Sequence, residues 1–130
     1  MNDELLIEQY IMKRLSLWQY FNVNMVAREN ENFTPPLTGV WIRPVVLGGI
    51  NSIESVLIDG CVKVVGQLTI QVFVPKNSRT YRAKEIAGSL RKHFEMYSVD
   101  KLQLLAGSVI TAGDNGDYYQ YNVVVPYEYY

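Results

Sequence analysis

From Val62 to Val74 the sequence alternates with a period of two, and no other stretch limits the fold as strongly. Val62, Val64, Gly66, Leu68, Ile70, Val72 and Val74 fall on one side. Lys63, Gln67, Thr69 and Gln71 fall on the other, joined there by Val65 and Phe73. Successive side chains of a strand point to opposite faces, so this pattern demands a strand with one buried face. At ~3.3 Å per residue such a strand spans roughly 40 Å, more than a small core covers. The excess length implies that part of the strand projects, bends at Gly66 or pairs with another chain. Pro75 ends it, and Asn77, Ser78 or Thr80 can cap the helix that follows.

That helix is written in Ala83, Ile86, Ala87, Leu90, Phe94 and Tyr97, which recur at the spacing of one helical face. An earlier helix reads from Asp3 to Asn22, with Ile7, Ile11, Leu15 and Trp18 as its stripe and Asn2 or Asp3 as its cap. RENENFTPP, Arg28 to Pro36, is a loop stopped by two prolines. Val40 to Leu47 is rich in β-branched residues, but Pro44 cannot donate to a ladder, so this strand lies at an edge or carries a bulge. Residues 48–60 show no period and read as a long connection. Its Ile50, Ile53, Val56, Leu57 and Ile58 are contact candidates for a partner.

Leu102, Leu104, Ala106, Ser108 and Ile110 alternate again. Asn115–Gly116 suits a type I′ turn into a last strand with Tyr119, Tyr121, Val123, Val125, Tyr127 and Tyr129 on one side. The expected fold is therefore α+β, one domain over residues 1–130. It has a mostly antiparallel four-stranded sheet with two helices on one face, in the order helix-strand-strand-helix-strand-strand.

Chemistry is sparse. Twelve basic against thirteen acidic residues leave a net charge of −1, which gives no general field for a polyanion. His93 is the only histidine and falls off the apolar stripe of its helix, as a solvated side chain would. Cys61 is the only cysteine, so no internal disulfide can form, and it reads as a small packing residue. Asp114–Asp117 lacks the glycine and glutamate placement of a calcium loop, and no Cys or His cluster has metal spacing. No catalytic, metal or cofactor site is expected. The acidic start of the chain, interrupted by charges, is unlike a signal peptide, and no apolar run is long enough to span a membrane. These features predict a protein that is soluble and intracellular when made.

Two constellations remain. Arg79, Arg82, Lys84, Arg91 and Lys92 make the second helix basic, either as a solvated face or as a patch for an acidic partner. Tyr118, Tyr119, Tyr121, Tyr127, Tyr129 and Tyr130 crowd the last strand and fall on both faces. Tyr119, Tyr127 and Tyr129, with Phe73, are thus candidates for a subunit interface, where tyrosine is favoured.

Three segments in order carry a family resemblance: ARENENFTPP with VWIRPVVLGG after the first helix, GQLTIQVFVPKNS joined to AKEIAGSLRKHF, and YNVVVPYEYY at the end. Together they resemble the tail terminator (tail completion, minor tail protein U-like) family of long-tailed bacteriophages. Arg79 stands where many relatives have glycine. The resemblance implies a structural virion protein, not an enzyme, that forms a homohexameric ring on the head-proximal end of the tail tube. The ring ends tail polymerisation and offers a surface for head–tail joining. Its partners would be itself, in a monomer–hexamer equilibrium, the tail tube protein and the head–tail connector proteins. Nucleic acid would be present only as DNA passing through the ring. It would reside in the virion tail, and in the host cytoplasm during assembly. A tail tube or connector subunit of related fold, or a small nucleic-acid-binding regulatory domain, are the alternatives.

Overall fold

The computed structural model describes residues 3–28, 33, 39–47, 51–52, 63–76 and 81–129. The elements run α1 (Asp3–Ser16), a 3₁₀ turn (Val23–Met25), β1 (Trp41–Leu47), β2 (Asn51–Ser52), β3 (Lys63–Pro75), α2 (Tyr81–Phe94), β4 (Ser98–Val99), β5 (Leu102–Leu104), β6 (Ser108–Asn115) and β7 (Tyr118–Tyr129).

The long alternation becomes β3, and its period-two side chains divide as expected. Leu68, Ile70, Val72 and Val74 are buried against the helices. Its length is used inside the subunit. Twelve consecutive residues, Val64 to Pro75, pair antiparallel with Tyr129 to Tyr118 of β7, so the closing strand matches all but one residue of the central one. β1 covers Gln67 to Phe73 on the other side, and β2 covers Lys63 and Val64. The expectation of a projecting strand, or one shared with another chain, is thus corrected within the described residues: β7 takes up the excess.

The sheet has seven strands among the described residues, not four, with a path β1-β3-β7-β5-β4 and with β2 and β6 attached to β3 and β7. All pairs of named strands are antiparallel. Three added strands are only two or three residues long, below the length at which alternation can be read. β2 lies inside the segment expected to be an aperiodic connection. The alternation from Leu102 to Ile110 is two strands, β5 and β6, laid end to end along β7. Between them the pairing slips by one residue: Leu104 faces Tyr127, but Ser108 faces Val124. An extra residue reverses the faces, so Val109 and Thr111 take the helix side and Ile110 the opposite one.

α2 buries the predicted residues Ala83, Ile86, Ala87, Leu90 and Phe94. α1 buries Ile7, Ile11 and Leu15 but stops at Ser16, six residues short of the expected end. There the backbone tightens into shorter turns, with Leu17 N–H on Arg14 O (3.1 Å) and Trp18 N–H on Leu15 O (3.0 Å). Ser16 Oγ also donates to Lys13 O at 2.6 Å. Trp18 remains buried, so the apolar stripe continues past the helix that began it.

β1 is an edge strand, as Pro44 required. The Ala27 N–H donates to Ile42 O (2.8 Å), which shows that the even residues of β1 point their backbone groups away from β3. Pro44 therefore places its missing donor on the unpaired side. The turn between β6 and β7 is centred on Gly116–Asp117, one residue later than the sequence suggested, because Asn115 pairs with Tyr118. Gly116 has φ 62° and Asp117 does not share it, the pattern of a type II′ turn.

Candidate functional site

β6 is exposed along most of its length. Ser108, Val109, Ile110, Thr111 and Ala112 are all exposed, Ile110 by 51%, and none is charged. Only β7 pairs with β6 among the described residues. Alternation from the Ala27–Ile42 bond through the unbroken β1–β3 and β3–β7 registers fixes which backbone groups are unpaired. It places the N–H and C=O of Val109 and Thr111 on the outer side of β6. The Leu105 N–H on Pro126 O (2.9 Å) sets the same phase independently. Edge strands commonly carry charges or proline against chance pairing; this stretch has neither, with only a register shift between Thr111 and Gly113 closing it.

The second surface lies on the outer side of the helices. α2 and the end of α1 enclose a groove of about 780 Å³ lined by Arg14, Leu17, Trp18, Lys84, Gly88 and Lys92 among others. The two helices are clamped beside it. The Arg14 guanidinium donates twice to His93 O (3.0 and 2.8 Å) and lies 4.0 Å over the Tyr97 ring. His93 Nε2 in turn donates to Arg14 O at 2.6 Å; a carbonyl only accepts, so Nε2 carries the proton. Trp18 Nε1 donates to Ser89 Oγ at 2.9 Å. His93 is therefore half-buried and engaged, which corrects its reading as a solvated side chain. Along α2, Arg82 is paired with Glu85 and Arg91 lies 3.2 Å from Glu95, while Lys84 and Lys92 at the groove are exposed. Arg79 lies outside the described residues.

Burial lowers the His93 pKa; the bond to Arg14 O raises it, and the Arg14 charge lowers it further. A histidine that gains protons less readily when folded costs stability as pH falls. The unfolded chain takes up the proton first, near the ordinary value of 6.5. The folded state should thus be less stable at pH 5.5 than at pH 7.5, the loss beginning as pH drops through that value. Thermal melts across the range check this. His93→Gln keeps a donor without the titration and should flatten the slope; an unchanged slope would refute the assignment.

The other expected site residues are placed as follows. Tyr127 (1% exposed), Tyr129 and Phe73 are buried inside the subunit, and Tyr119 is half-buried against the main core. Their rings are committed to the subunit's own packing, so exposed contact area is carried elsewhere. Ile50, Ile53, Val56, Leu57, Ile58 and Cys61 lie outside the described residues. Among the described residues, no group of three or more His, Cys, Asp or Glu side chains could hold a metal ion. No described helix is long and apolar enough to cross a membrane. Ser108 and Ile110 were legible as strand, but not as a separate exposed strand, because the alternation from Leu102 to Ile110 hides the slip between β5 and β6. The Arg14–His93 clamp joins residues 79 positions apart, and no local pattern announces it.

Comparison with known proteins now adds to this geometry. No curated protein sequence matches the chain. Several solved structures do; one superposes with a TM-score of 0.75 at 21% identity, over 100% of this chain and 97% of its own, which establishes a shared fold. The family model described as phage tail terminator protein matches residues 6–127. With all but a few terminal residues inside that match, the chain belongs to the phage tail terminator protein family.

Proposed function

We propose that this chain is the subunit of a ring that caps the head-proximal end of a phage tail tube, ends its polymerisation and presents the surface for head–tail joining. The observation that carries the reading is the family match over residues 6–127, since the family is one of structural tail proteins. The exposed, uncharged stretch of β6, residues 108–112, supports it. A capping subunit works by association, and the outward backbone groups of Val109 and Thr111, with no strand partner among the described residues, are an association surface that needs no catalytic group. A ring subunit meets its neighbours through unlike surfaces, and the assembly closes when the rotation between them does. The residues around 50–58 are proposed to contact the tube or a neighbour.

Removing the gene from its phage should give overlong tails, whereas loss of a tube subunit would give none. Electron microscopy of the purified protein with isolated tail tubes should show rings at tube ends. Ile110→Lys sits on an exposed edge and should change the melting temperature little, because surface substitutions usually shift stability by less than about 0.5 kcal/mol. It should nevertheless remove capping by placing a charge where a neighbour packs. Normal tail lengths after gene removal would overturn the reading.

A further inference from the structure

Among the described residues, Gly88 has no structural reason inside the subunit. It lies mid-way along α2, it is not among the glycines with positive φ, and a Cβ built on it meets nothing within 4 Å. Glycine in a helix interior is less stable than alanine because more backbone freedom is lost on folding. A bare position facing open space keeps the helix surface low for something that approaches from outside. That space is the groove between the last turn of α1 and the outer face of α2.

The groove is positive. Arg14, Lys84, Arg91 and Lys92 set against Glu85 give it a net +3 with His93 neutral. Because the whole chain is −1, everything outside the groove sums to −4, so a second copy is itself an acidic partner. The acidic element of suitable shape is the start of α1. Its first two turns carry Asp3, Glu4 and Glu8, and Leu5 there is 44% exposed. Leu17, 66% exposed at the groove, is an apolar counterpart. We propose that the α1–α2 groove receives the acidic first two turns of α1 from a second copy of this chain, with the neighbour's helix lying close over Gly88.

The inference rests on the ring reading and names one of its contacts. α1 has its acidic end and its basic end about 20 Å apart, so the contact runs head to tail. A two-fold arrangement would need both grooves to take the other copy's α1 start at once, a reciprocal pair that stops at a dimer. Head-to-tail contacts between unlike surfaces build rings when the rotation between neighbours closes. Nucleic acid fits less well, because Glu85 and Glu95 are interleaved with the cations and hold Arg82 and Arg91.

Gly88→Ala separates the two roles by sign. The isolated subunit should gain roughly 3 °C in melting temperature, from a less flexible unfolded chain and better helix propensity. Ring formation on tail tubes should need at least about tenfold more protein, the equivalent of losing one good contact. Lys84→Glu with Lys92→Glu should abolish ring formation, and adding Glu8→Lys to that pair should restore it. If the wild type forms rings and both groove variants do so at the same concentration, this contact is wrong while the ring reading stands. If the wild type neither self-associates nor binds tail tubes, the ring reading fails and this inference falls with it. Failure of Glu8→Lys to restore assembly would assign the groove to a different acidic protein. Salt-dependent binding of a DNA duplex that is lost in Lys84→Glu/Lys92→Glu would assign it to nucleic acid. Either result overturns the second-copy assignment.

Discussion

Gly66→Val should leave little folded protein at 37 °C, and Gly66→Ala should already lower stability by about 3 kcal/mol. Gly66 pairs directly with Tyr127, whose ring lies across it on the helix side of the sheet. A Cβ at Gly66 would sit 2.5 Å from the Tyr127 Cζ and 2.6 Å from the backbone oxygen of Leu47. Real Cβ atoms do not approach other atoms so closely, and neither neighbour can withdraw cheaply. Tyr127 is fully buried, and Leu47 O belongs to the end of β1, to which the Tyr127 hydroxyl donates at 3.4 Å. Valine adds two more carbons to the same overlap. Against a total stability of about 5–15 kcal/mol, a loss above roughly 4 is enough to populate the unfolded chain. Urea melts of the single variants and of Gly66→Ala/Tyr127→Phe check the cause. Removing the hydroxyl should recover part of the loss and not all of it, because the Leu47 oxygen stays in place. A Gly66→Ala protein as stable as the wild type would show that the glycine is not held there by Tyr127.

Gly66 also shows what a single sequence can convey. The alternation around it specifies β3 and its buried side without ambiguity, because a one-residue error would expose Leu68, Ile70, Val72 and Val74 together. The glycine itself invites a local explanation, a bend, when its cause is a ring 61 residues further on. α2 was readable for the same reason as β3: five of the six residues at helical spacing become core, and the sixth, Tyr97, lies past the helix end at Phe94 and is half-buried. The end of α1 was not, since no glycine or proline marks it and Trp18 continues the apolar stripe beyond Ser16.

The association surfaces divide likewise. Aromatic content pointed to the closing strand, and those tyrosines are aromatic because the subunit's own core uses them. The exposed surface lies in small and β-branched residues of β6 and in a bare helix position at Gly88, where composition gives no signal. The basic residues of α2 were legible as a set. Their partners were not: two of the arginines are held by glutamates three and four residues on, which leaves Lys84 and Lys92 to act outward.

On the face of the sheet away from the main core, Trp41→Ala should cost about 3–5 kcal/mol. Trp41 stacks on Phe73 with ring centroids 4.1 Å apart and planes 16° from parallel. Phe33 lies 5.1 Å away, and Tyr118 meets the indole edge-on at 5.4 Å. The Arg43 guanidinium lies 5.8 Å over the indole and 5.5 Å over Phe73, closing the stack on the solvent side. Removing the indole leaves Phe73 and Ala27 against a cavity, since the small second cluster has no other large buried member among the described residues. Trp41→Phe should behave differently. The Trp41 Nε1–H is buried with no hydrogen-bond partner among the described residues, as is Gln71 Oε1. An unpaired buried donor costs about 1–3 kcal/mol, so phenylalanine removes that cost while keeping most of the stack. The two effects offset, and Trp41→Phe should fall within about 1 kcal/mol of the wild type. Chemical denaturation of both variants decides the matter. If phenylalanine proves as damaging as alanine, the indole N–H is holding a bond that the stack alone does not explain.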